Sequence, residues 1–111
     1  MKLPNSERCL VERQKIVDYL LNPAHAENGG KADFFTALGF DASQWEILAS
    51  SLRQLAASAD VSEGIQSVHG QKFIIDGPLN GATGRVAEVR TVWIVDTGSD
   101  VPRLVTAYPN A

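Results

Sequence analysis

The chain has 111 residues, 44 % apolar and 21 % charged, with a net charge of −3, a size and composition that fit one ordered globular domain and exclude a disordered segment. The acidic excess lies in the first 64 residues and the remainder is balanced, with Arg85, Arg90 and Arg103 among its cations; this argues against a generally basic nucleic-acid-binding surface but leaves room for a local basic pocket. The lone Cys9 excludes an internal disulfide and a cysteine-built zinc site and fits a cytoplasmic setting, and no signal-peptide core or membrane-length apolar run is present.

The first half reads as helix. In "VERQKIVDYLLNP", Ile16, Val17, Leu20 and Leu21 form one apolar stripe, and Pro23 ends the helix by forcing Asn22 out of helical angles. The polar loop "NPAHAENGG" follows. "KADFFTALGF" is a two-turn helix that buries Phe34, Phe35 and Leu38, with Gly39 at a left-handed C-cap. "DASQWEILASSLRQLAAS" opens on Asp41 with Gln44 three residues on, a capping-box pattern, and spaces Trp45, Leu48, Leu52 and Leu55 along one face.

From Ile65 the apolar period changes to two. "GQKFIIDGPLNG" is a strand interrupted by Gly77-Pro78, which places it at an edge or bulge because proline lacks the ladder N–H. "NGATG" is a turn. "RVAEVRTVWIVD" is apolar on both faces toward its end and reads as the central strand. After the turn "DTGSDVP", the segment "RLVTAY" pairs back. The predicted architecture is α+β: residues 1–111 as one domain, about three N-terminal helices to about residue 60, packed on a three-stranded antiparallel meander over about 65–109.

No P-loop, zinc pattern, nucleophile elbow or dinucleotide fingerprint occurs. Asp96 and Asp100 flank a turn and are read as turn residues before metal ligands. Arg90 sits in the middle of the central strand, with Glu88 two residues away as its candidate partner on a solvated face. By strict alternation Leu104, Thr106 and Tyr108 share one face of the last strand and Arg103 points away, unless the turn redirects it. His25 and His69 are the only side chains that titrate near neutrality unaided. Lys31 opens a helix, where a cation opposes the dipole, and with that helix's N–H groups it would suit an anion.

The stretches "LLNPAHAENGGKADFFTALGF", "HGQKF", "NGATGRVAEVRTVWIV" and "PRLVTAYP" resemble a family of small, functionally uncharacterised bacterial domains. These occur as stand-alone proteins, which the "LPNSER" start fits, and as C-terminal tips of polymorphic or contact-dependent toxins. Helices followed by an antiparallel sheet are also similar to the barnase–EndoU–colicin–RelE group, whose members cleave RNA without metal or cofactor. The resemblance implies His25, Lys31, Arg90 and Thr106 as catalytic residues, and Thr91, Trp93, Arg103 and Tyr108 as substrate-binding residues. It implies RNA as substrate, with His25 as base or acid. The rival reading is a non-enzymatic module that docks a small cognate protein on the open sheet face, or a homodimer closed through the edge strand "RLVTAY".

Overall fold

A computed structural model describes residues 1–27 and 29–110. An α-helical turn, Arg13–Lys15, runs directly into a π-helical turn, Ile16–Leu20; together they are α1. Helix α2 is Lys31–Ala37 and α3 is Trp45–Ser58. Four strands follow: β1 (Val61–Ser67), β2 (Gly70–Asn80), β3 (Val86–Asp96) and β4 (Pro102–Pro109). They pair antiparallel in the order β1-β2-β3-β4. Among the described residues no helix is long and apolar enough to cross a membrane.

The expected three-stranded meander is therefore corrected to four strands; the α+β class holds. The missed strand is β1, "VSEGIQS", which shows no apolar alternation. Only Val61 of its side chains packs against the core, Ser62–Gln66 are exposed, and a bulge after Val61 breaks its parity. It is held by its ladder to β2 rather than by buried side chains, so periodicity has little to report. A tight turn at Val68-His69 returns the chain to Gly70, whose φ is 144°; a Cβ there would lie 2.2 Å from the Val95 carbonyl oxygen.

Strand β2 runs unbroken through Gly77-Pro78. Pro78 faces Glu88 of β3, while β1 stops at Ile75. The missing N–H thus meets no strand on the other side, and an interior strand tolerates proline at an end where it is locally an edge.

The helices cover one face of the sheet. Phe73 lies opposite Trp93 and Ile75 opposite Thr91, and this face continues with Leu79, Val89, Leu104 and Ala107. Helix α3 contributes Leu48, Leu52, Leu55 and Ala56, the buried stripe expected from its spacing. Asp41 caps the 3-10 turn that precedes α3, its carboxylate accepting from Ser43 N at 2.9 Å. Gly39 adopts φ 91° at the end of α2, as the C-cap reading required.

Thr91 and Trp93, expected in a substrate site, are both wholly buried in this core. Thr91 Oγ1 donates to the Ile75 carbonyl (2.9 Å) and accepts from Trp93 Nε1 (2.8 Å). Their polar atoms serve the interior, because a buried indole N–H without an acceptor is costly. Thr91→Val keeps the shape and removes the acceptor, and is expected to destabilise by about 1–3 kcal/mol in urea unfolding. A loss well below that range would show that Trp93 finds another partner.

Candidate functional site

The face of β3 turned away from the core carries Arg90, Val92, Ile94 and Asp96. In the β3–β4 ladder, Tyr108 lies opposite Arg90, Thr106 opposite Val92, and Arg103 opposite Ile94, with a register shift between the last two pairs. That bulge inserts Val105 as an extra residue. It sets Leu104 opposite buried Trp93 and brings Arg103 onto the side of Thr106 and Tyr108. Strict alternation, which separated Arg103 from Tyr108, fails at this one residue.

The outer edge of β4 is bordered by the N-terminal half. Leu10 forms a parallel bridge with Arg103 through Leu10 N to Pro102 O (2.8 Å) and Leu104 N to Leu10 O (2.9 Å). From there α1 runs beside β4. Its π turn, closed by Leu21 N donating to Ile16 O at 2.8 Å, sets Tyr19 with its hydroxyl 3.2 Å from Thr106 Oγ1. The following loop turns on Asn22, whose Oδ1 accepts from Ala24 N at 3.0 Å. This carries the His25 ring edge-on to Tyr19, centroids 5.0 Å apart. Lys15 Nζ and Lys31 Nζ stand 5.5 and 5.3 Å from the centre of the same ring.

These groups enclose a groove of about 640 Å³ whose walls include Lys15, Tyr19, His25, Arg103 and Thr106. Glu12, Asp18 and Glu27 stand along it as well. A second cavity of about 450 Å³ is lined by Gly29, Gly30, Lys31, Tyr108 and Pro109. Of the eight residues singled out from the sequence, His25, Arg103 and Thr106 meet in the first cavity, beside Tyr19, and Lys31 and Tyr108 in the second. Arg90 lines neither, and Thr91 and Trp93 are interior.

Both strand arginines are clasped by carboxylates. Arg90 makes a fork with Asp76 (2.8 and 2.9 Å), its direct cross-strand neighbour, rather than with Glu88 on its own strand. Arg103 makes the same fork with Asp96 (2.7 and 3.0 Å). Asp96 is thereby accounted for, as is Asp100, which accepts from Arg8 at 3.0 Å. The Arg103 hydrogen bonds hold the Asp96 carboxyl below its ordinary range, against a smaller upward push from burial.

Partial burial raises the Tyr19 hydroxyl, but the hydrogen bonds with Thr106 and Lys31 and the charges of Lys31 and Lys15 outweigh it and bring it below the usual phenol value. Tyr19 is the functional candidate that sequence reading missed. It sits inside the stripe Ile16, Val17, Leu20, Leu21, where an aromatic passes as core; its polar atom, next to apolar neighbours, was the available signal. His25 Nδ1 accepts from Glu27 N at 3.1 Å, so the neutral ring carries its proton on Nε2. Among the described residues no group of three or more His, Cys, Asp or Glu is placed to hold a metal ion.

A family model matches residues 2–111. The chain belongs to DUF6883, a domain of unknown function. No curated protein matches this DUF6883 sequence. Among solved structures, a chain of the contact-dependent growth inhibition toxin–immunity protein complex from Klebsiella pneumoniae 342 is similar to it. The TM-score is 0.71 at 17 % identity, over 90 % of this chain and 98 % of that one, so the likeness is one of fold.

The Asp96–Arg103 pair makes the stability of this chain depend on pH in a defined sense. A carboxyl whose folded pKa lies below its unfolded value stabilises above the unfolded value and ceases to as pH falls through the folded one. Asp96→Asn is therefore expected to lower stability at neutral pH and to lose that deficit below about pH 4, the ordinary carboxylate range. Urea unfolding of both proteins across this interval reads the difference; a deficit constant with pH would contradict the assignment.

Proposed function

We propose that this domain is a small metal-independent ribonuclease of the toxin type, with the groove between α1, the His25 loop and β4 as its active site. The observation that carries this is the meeting of His25, Tyr19, Thr106 and Arg103 around one groove, with Lys15 and Lys31 beside them. Phosphodiester cleavage by a neighbouring 2′-hydroxyl requires a proton acceptor, a donor for the leaving oxygen, and cations for the phosphorane. The set supplies all three kinds of group. The fold shared with a chain of a toxin–immunity complex supports the toxin context.

His25 presents Nε2–H, so in its neutral form it donates a hydrogen bond to a phosphate oxygen rather than taking a proton. Arg103, oriented by Asp96, and Lys31 contact phosphate; Thr106 positions the scissile group, and Tyr108 at the second cavity takes the adjoining nucleotide. Arg90 acts indirectly, through its interaction with the Tyr108 hydroxyl. The low cation count suits a short, pocket-bound segment of RNA rather than a long electrostatic track.

A second reading has its own observation. The uncovered sheet face carries Ile74 and Val92 in its centre and Ile65, 41 % exposed, toward the β1 edge. Such a face suits a protein partner of the immunity type.

The purified protein, incubated with total RNA in excess EDTA, is expected to leave fragments ending in 2′,3′-cyclic phosphate. His25→Ala should slow cleavage by about a hundredfold or more, while His25→Gln, which keeps an amide donor near the same place, should retain more of it. Expression should arrest growth, with relief by His25→Ala. Intact RNA under every condition, together with tolerated expression, would reject the nuclease and leave the protein-binding reading.

A further inference from the structure

Since His25 Nδ1 already accepts from Glu27 N, the proton acceptor of the ribonuclease reading is another group of the groove. We propose that Tyr19 and Lys31 form the acid–base couple: Tyr19 takes the proton from the 2′-hydroxyl and Lys31 gives one to the departing 5′-oxygen. This rests on the ribonuclease reading and assigns its central step.

Several independent observations meet at Tyr19. Its hydroxyl lies at the groove, 3.2 Å from Thr106 Oγ1, so a substrate hydroxyl positioned by Thr106 arrives beside it. Two ammonium groups, Lys15 and Lys31, approach the ring from different elements, α1 and α2. Both favour the phenolate over the phenol, in keeping with the depressed pKa. The His25 ring against its side fixes the phenol's orientation. Lys31 lines the second cavity, while its ammonium stands 5.3 Å from the centre of the Tyr19 ring, which lines the first, so a phosphate linking two nucleotides held in the two cavities would meet both groups.

The step balances. The Tyr19 phenolate removes the 2′-hydroxyl proton as the 2′-oxygen bonds to phosphorus. The bond from phosphorus to the 5′-oxygen breaks, and Lys31 delivers a proton to that oxygen. Tyr19 is then a phenol and Lys31 a neutral amine. Proton transfer from one to the other restores the starting pair without a further reactant. The hydrogen bonds of His25 Nε2–H and Arg103 stabilise the phosphorane between these events.

The test uses two versions of one dinucleotide substrate, the natural phosphodiester and the analogue with sulfur in place of the bridging 5′-oxygen. A thiolate leaves without being protonated, so loss of the acid is masked by sulfur and loss of the base is not. Tyr19→Phe is expected to lower kcat by about a hundredfold or more on both substrates, with KM changed by no more than about threefold. Lys31→Ala should be slowed at least about tenfold more on the phosphodiester than on the thio analogue, sulfur recovering the part due to the lost acid but not the part due to a weaker phenolate and phosphate contact. Binding of a 2′-deoxy dinucleotide and thermal unfolding show that the Tyr19→Phe site is intact. A Tyr19→Phe enzyme as fast as wild type, or rescued by sulfur, overturns the assignment while the ribonuclease reading stands. A wild-type protein inert on both substrates removes that reading and this one together.

Discussion

The extra residue in β4 is the constraint on which the candidate site depends. Inserting Val105 between the pairs Thr106–Val92 and Leu104–Trp93 satisfies two demands that a regular strand cannot meet at once. Leu104 must enter the core beside Trp93, and Arg103 must reach the same margin as Thr106 and Tyr108. A bulge leaves the ladder nearly intact while re-aiming side chains beyond it. The Leu10 bridge sits at the same place, covering the edge that the bulge begins and handing the chain on to α1.

Charge is distributed by the same geometry. The sheet arginines are held by carboxylates across or along the ladder, in forks that fix their orientation and offset much of their charge locally. The cations nearest the Tyr19 ring are instead lysines, brought from α1 and from the start of α2. A cation at the first turn of a helix opposes the dipole. Lys31 accepts that modest penalty and gains an aromatic face and a phenol oxygen in return. Two ammonium groups thus gather at the Tyr19 ring, in a groove that Glu12, Asp18 and Glu27 also line.

Much of the fold was legible in the residues. The stripe of α3, the glycine that closes α2 and the interior position of β3 all follow from periodicity and stereochemistry. The site was legible only in pieces. His25, Lys31, Arg103, Thr106 and Tyr108 could be picked out as polar residues near turns and strand ends. Arg90 looked equally suitable, since nothing local revealed that Asp76 lies directly across from it. Thr91 and Trp93 failed as surface groups because they satisfy each other inside the core.

The sequence by itself determined that helices precede strands and which face of α3 is apolar, because both are set by side chains a few residues apart. Only the tertiary structure decided the number of strands and the parity of β4. Those depend on backbone pairing between segments that share no local signal. It also decided that Tyr19, a residue that passes for core in its own helix, stands at the groove. The groove brings together chain positions up to 87 residues apart, as the Tyr19–Thr106 contact does, and no local pattern can specify such a meeting.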